Sequence, residues 1–284
     1  MDLKQEGILK DSRILEKDLG RAKQGRLKYE YSLPSSQMIR TIFRDYFMKR
    51  VPLRAMIVTM AVAAFGATSW IVVAQQPSAF IPDPQRFEKN ILAFEKLESR
   101  TAPPTGSLLF TGSSTIRDWS HLDTDFQGLS AVGRGFGGSR LTDVIYYLDR
   151  LVAKPSPRGI VIYEGDNDLH EGVSIDELMG HYDQFYSKLR TRLPECRLYV
   201  LSIKPSPSRW REWPVSSEAN LRLKSWCASK KATIFIDVAT PMLDKNGQPR
   251  KELFSYDRLH MNRKGYEVWI DVMKPLILKA EGNS

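Results

Sequence analysis

The stretch G-I-V-I-Y-E-G-D-N-D, Gly159 to Asp168, decides the fold. Its first half is apolar and rich in β-branched residues, the mark of a strand buried on both faces; its second half is a turn of carboxylates, glycine and an amide. The same succession recurs on either side. Apolar runs stand at 107–111 (S-L-L-F-T), 129–132 (L-S-A-V), 197–203 (R-L-Y-V-L-S-I) and 233–237 (T-I-F-I-D). Helical patterns fill 139–153, 174–192, 216–229 and 263–280, the first carrying Leu141, Val144, Ile145, Leu148 and Leu151 on one face. Residues 86–99, with Phe87, Ile91, Leu92 and Leu97, predict a further amphipathic helix at the domain entrance. Strand–helix alternation of this kind predicts an α/β domain with a parallel sheet covered on both sides. Such sheets bind ligands outside the carboxyl ends of their strands, so reactive residues should follow the apolar runs.

They do. G-S-S-T-I-R (Gly112–Arg117) follows the first run, G-R-G-F-G-G-S (Gly133–Ser139) the second, E-G-D-N-D (Glu164–Asp168) the third, and D-R-L-H (Asp257–His260) lies near the C-terminus. Together they supply a hydroxyl, glycine amides, a carboxamide and an Asp/His pair, the parts of an acyl-transfer site. Ester hydrolysis needs a nucleophile stronger than water, a base for its proton and donors for the developing oxyanion. Ser114 supplies the hydroxyl and its own N–H, and His260 is the base because an imidazole is the side chain suited to shuttling protons near neutral pH. Asp257 holds the imidazole tautomer. The N–H of Gly138 and the side-chain amide of Asn167 complete the oxyanion hole.

In order and placement these four loops resemble blocks I, II, III and V of the SGNH (GDSL-type) hydrolases, over about residues 105–275. The resemblance implies a flavodoxin-like three-layer sandwich and an esterase or lipase-like acylhydrolase with Ser114, Asp257 and His260 catalytic, Ser114, Gly138 and Asn167 in the oxyanion hole, and no metal or organic cofactor. Two positions depart from the family pattern. Ser113 stands where Asp is usual, and Gly133 where Asn is usual. Ser113 is also a rival nucleophile. A non-catalytic carbohydrate- or lipid-binding domain of the same fold is the alternative function, which the intact Ser, Gly, Asn, Asp and His set argues against.

Other readings of the same residues are weaker. Gly133, Gly135 and Gly138 satisfy the dinucleotide pattern G-x-G-x-x-G, but they follow the second strand rather than the first and leave the Asn167 and Asp257/His260 loops unexplained. Asp166, Asp168 and Glu177 occupy calcium-loop positions 1, 3 and 12, yet Glu171 stands where glycine is required. His121 and His181 have no supporting pattern; His170, close to Asn167, can line the pocket. The segment S-I-K-P-S-P-S-R-W (Ser202–Trp210) opens onto the same sheet edge, so Lys204, Arg209, Trp210 and also Arg140 are candidates for a wall facing an anionic, sugar or acyl substrate.

The net charge is +9, of which the first 54 residues, with 13 Lys and Arg against 7 Asp and Glu, contribute +6. That basic stretch directly precedes an uncharged apolar segment, Ala55 to Ala74, of bilayer-spanning length. Membrane topology explains the charge better than nucleic-acid binding does. The expected organisation is a cytoplasmic tail (1–54), a transmembrane signal-anchor or signal peptide (55–74), a linker (75–85) and a hydrolase domain (86–284). Either the segment anchors the domain outside the cytoplasm, or it is cleaved at Val72-Val73-Ala74 and the domain is secreted; Met38, Met48 and Met56 are further possible starts. Cys196 and Cys227 form no metal motif; the alternatives are a disulfide and two buried thiols. Oligomeric state is open.

Overall fold

The computed structural model describes residues 83–282 except Lys154. The tail, the apolar segment and most of the linker lie outside the described residues. Among the described residues, no helix is long and apolar enough to cross a membrane.

Five strands form one parallel sheet in the order β2-β1-β3-β4-β5: β1 (Leu108–Gly112), β2 (Ala131–Gly135), β3 (Gly159–Tyr163), β4 (Arg197–Leu201) and β5 (Thr233–Ile236). The long helices are α1 (Glu88–Arg100), α2 (Leu141–Ala153), α3 (Ile175–Arg192), α4 (Trp213–Ala228) and α5 (Arg263–Gly282). Side chains alternate across the sheet as the pleat requires. Leu109, Ile160, Ile162, Leu198 and Val200 face a layer built from α1 to α4. Leu108, Phe110, Val161, Tyr163, Tyr199 and Leu201 face Trp119, Phe126 and the Tyr266, Trp269, Met273 and Ile277 stripe of α5. The result is a three-layer sandwich in the flavodoxin-like strand order, whose connections diverge at β1 and β3 and so open a crevice at their carboxyl ends.

Three expectations need correction. β2 runs over 131–135, so Gly133 and Gly135 belong to the strand, paired with Phe110 and Gly112, and only the later glycines lie in the loop. This edge strand is half-exposed and short of apolar residues, which hides its true extent in the sequence. Leading into and along α1 the buried face is Phe87, Ile91 and Glu98, while Leu92 and Leu97 are exposed. Residues 87, 91, 94 and 98 share one helical face, and Glu98 is drawn inward by a buried ion pair with Arg134. The expected linker ends early, because Asp83 caps a 3-10 turn over Pro84–Phe87. Cys196 and Cys227 are free buried thiols in the α1–α4 layer, and burial pushes both up to about 12.

Gly112 joins the fold to the site. Its φ of 131° is a glycine conformation, and a Cβ there would stand 2.1 Å from the Tyr163 carbonyl oxygen on the neighbouring strand. Backbone cannot yield as a flexible side chain can. Gly112→Ala is therefore expected to destabilise the domain by about 3 kcal/mol or more, read as a lower urea midpoint.

Candidate active site

Beyond Gly112, the chain turns at Ser113 into a one-turn helix, Ser114–Arg117. Three contacts fix that turn. The Ser113 N–H donates to the Tyr163 carbonyl at 3.3 Å, the Tyr266 hydroxyl donates to the Thr115 carbonyl at 2.9 Å, and Gly135 leaves no room for a Cβ against the Arg117 amide. Ser114 is thereby presented half-buried at the head of the helix, while Ser113 is buried. Being first in the helix, the Ser114 N–H has no intrahelical acceptor and points outward from the turn.

His260 and Asp257 come from a tight loop after β5. Arg258 takes a left-handed φ of 58°, which folds the chain back so that Asp257 Oδ1 accepts from the amides of Leu259 and His260, each at 3.0 Å. Asp257 Oδ2 then meets His260 Nδ1 at 2.5 Å, and His260 Nε2 meets Ser114 Oγ at 2.9 Å. Burial opposes ionisation of Asp257, but the hydrogen bonds from the His260 ring and the two amides outweigh it and hold the carboxyl down to about 2. A charged acceptor thus faces Nδ1, which favours the Nδ1–H tautomer and leaves Nε2 to accept the serine proton.

The glycine loop follows β2 and the one-turn helix Asp166–His170 follows β3, the two strands that flank β1. Gly138 has φ 81°, and a Cβ there would meet nothing within 4 Å, so conformation rather than crowding requires glycine. Asn167 Nδ2 donates to the carbonyl of Ser139, the residue after Gly138, at 2.8 Å. The two expected oxyanion donors therefore sit on loops that are hydrogen-bonded together.

The residues expected to form a pocket wall all have partners within the protein. Lys204 is buried, with Nζ donating to Asp166 Oδ2 at 2.6 Å and to the Tyr163 hydroxyl at 3.1 Å. Arg140 is also buried and ion-paired with Glu171. Arg209 is bound to Asp166 and Asn167. Buried cations need carboxylates, and these have found them within the protein. Trp210 is half-buried and stacks on Trp213 at 5.9 Å between ring centroids. His170, half-exposed, pairs with Glu212 at 2.9 Å and ties its helical turn to the 207–212 segment. Asp166 was missed as a functional residue. Burial works against its charge, yet Lys204 and Arg209 hold the carboxyl well below the usual carboxylate range. Among the described residues, no cluster of three or more His, Cys, Asp or Glu side chains can hold a metal ion.

A second buried acidic group lies under the glycine loop. Ser139 Oγ donates to Glu164 Oε1 at 2.6 Å, and burial, reinforced by the nearby Asp168 charge, raises Glu164 well above its ordinary value. Burial likewise pushes Asp168 up to about 6, although the Leu141 and Gly165 amides and Arg140 favour its charge. Because the folded pKa is raised, the protonated form is the stable one. Its contribution is whole below about pH 4 and is lost as pH rises toward 6, about 3 kcal/mol in all. Asp168→Asn keeps an acceptor and removes the titration. Its urea midpoint should therefore gain on that of the unsubstituted protein between pH 4 and pH 7; parallel midpoints would show that Asp168 ionises normally.

A parallel three-layer α/β fold that presents a Ser–His–Asp chain at its carboxyl edge has the architecture of a serine hydrolase. The chain belongs to the GDSL-like lipase/acylhydrolase family, whose model matches residues 102–268. Its fold is similar to that of a protein from Streptococcus pneumonia assigned as a platelet activating factor (18% identity, TM-score 0.60, covering 78% of this chain and 98% of that one). It is also similar to a GDSL-like lipase from Bacteroides thetaiotaomicron (21%, 0.57, 67% and 98%) and to a protein from Bacteroides fragilis assigned as an acylhydrolase (20%, 0.55, 69% and 96%). At these identities the likeness concerns the fold. No curated protein matches the chain.

Proposed function

We propose that the protein hydrolyses carboxylic esters through an acyl-serine intermediate. The observation that carries this reading is the unbroken hydrogen-bonded chain from Asp257 through His260 to Ser114. His260 Nε2 takes the Ser114 proton as Oγ attacks the ester carbonyl, and Asp257 stabilises the resulting imidazolium. The Ser114 and Gly138 amides and Asn167 Nδ2 receive the oxyanion, each such donor being worth about 3 kcal/mol in the transition state. His260 then protonates the departing alcohol. Water, activated by the same imidazole, attacks the acyl-serine, and the second collapse frees the acid.

The substrates are short acyl, sugar acetyl or lipid esters. The names of the structural relatives, a lipase and an acylhydrolase, support an acyl ester without choosing among them. Incubation of the full-length protein with a fluorophosphonate should place one phosphonyl group on the peptide containing Ser114. An acyl-length series and acetylated sugars then rank the substrates. A folded protein that takes no label would favour the non-catalytic binding reading.

For location, we propose that residues 55–74 act as a signal-anchor or signal peptide and that the hydrolase domain works outside the cytoplasm. The uncharged segment and the excess of Lys and Arg before it support this. An alkaline phosphatase fusion after residue 80 should be active; activity of a cytoplasm-only reporter at that point would reverse the topology.

A further inference from the structure

The side-chain amide of Asn167 is held from two sides. Its Oδ1 accepts from both terminal nitrogens of Arg209, each at 3.1 Å, and its Nδ2 donates to the Ser139 carbonyl at 2.8 Å. A flipped amide would set NH2 against guanidinium and oxygen against carbonyl, two like-against-like contacts at once. One N–H of Nδ2 remains for a third acceptor. Arg209 is held in turn: Nη1 also donates to Asp166 Oδ1 at 2.7 Å and to the Asp166 carbonyl at 3.0 Å. The other Asp166 oxygen takes Lys204 and the Tyr163 hydroxyl. Two cations thus share the one Asp166 carboxylate, and one of them, Arg209, also bonds the amide oxygen.

We infer that Arg209 is a positioning residue of the oxyanion hole: its fork locks Asn167 in the donating orientation and polarises the amide toward the developing negative charge. The inference rests on the ester-hydrolase reading. A dipole fixed in advance costs no reorganisation when charge appears, and a guanidinium drawing on Oδ1 makes the opposite N–H a stronger donor. Because the oxyanion is the transition state's charge and not the ground state's, the benefit falls on kcat rather than on KM. Arginine is suited to this, since a lysine ammonium has no planar fork with which to bridge Asp166 and Asn167 together.

The test is a double-mutant cycle on the full-length protein with p-nitrophenyl acetate. Asn167→Ala should lower kcat by about 10²–10³-fold. Arg209→Met should lower kcat by about 10–100-fold with KM nearly unchanged, and in the Asn167→Ala background by less than about 3-fold, because its effect passes through that amide. Arg209→Lys should lose less than Arg209→Met. Circular dichroism and melting temperature check folding; if methionine at 209 prevents folding, Arg209→Lys carries the same cycle with a smaller expected loss. An equal factor in both backgrounds, or a loss confined to KM, overturns the inference while leaving ester hydrolysis intact. An unsubstituted protein that neither turns over nor takes the phosphonate overturns the underlying reading instead.

Discussion

Ser114→Ala is expected to lower kcat toward p-nitrophenyl acetate by at least about 10⁴-fold and to abolish phosphonate labelling, with little change in melting temperature. The size follows from the chemistry: without Oγ there is no acyl-serine, and only the oxyanion donors and substrate binding remain to assist water. The small effect on stability follows from the structure, because Ser114 is half-buried and among the described residues its Oγ bonds only to a partly exposed histidine. Ser113→Ala makes the contrast. Ser113 is buried, and its backbone amide and carbonyl rather than a side-chain cap hold the turn, so its replacement should leave most of the activity. Activity that survives Ser114→Ala and disappears with Ser113→Ala would exchange the two roles.

Asp257→Asn is expected to lower kcat by about 10³–10⁴-fold, again without loss of the fold. The two oxygens of Asp257 have different partners, and this fixes how an amide would sit. Oδ1 accepts from two backbone amides, so the asparagine oxygen must take that place and its NH2 must face His260 Nδ1. The imidazole then carries its proton on Nε2 and cannot accept one from Ser114. Asp257→Ala leaves the tautomer unconstrained and should retain more activity than Asp257→Asn. The reverse ranking would mean that holding the imidazole in place, which an asparagine can still do, matters more than its tautomer. Nuclear magnetic resonance of the His260 ring nitrogens reads the tautomer directly.

Much of this was legible because the central strands are buried on both faces, so that Leu108–Gly112 and Gly159–Tyr163 stand out as short apolar runs. A residue following such a run is committed to the carboxyl edge, and that placed Ser114 and Asn167. The compact D-x-x-H spacing placed Asp257 and His260 within one loop. Edge strand β2 was read two residues early, since Gly133 and Arg134 pair with β1 without looking like a strand. Lys204 and Arg209 were recognised as cations near the site but assigned outward. Their partner Asp166 lies 38 and 43 residues away in the chain, and no local pattern reveals a pairing at that distance.

The sequence by itself determined the alternation of strands and helices and the loops that hold the serine, histidine, aspartate and carboxamide proposed for the chemistry, because each follows from local periodicity or from the chemistry of one side chain. Only the tertiary structure decided which charges pair with one another. Desolvation sets that choice: a cation that leaves water must find a carboxylate within the fold, and Asp166 lies where Lys204 and Arg209 can both reach it. Arg209, read in the sequence as part of a pocket wall, bonds instead to Asn167, whose amide also reaches the Ser139 carbonyl.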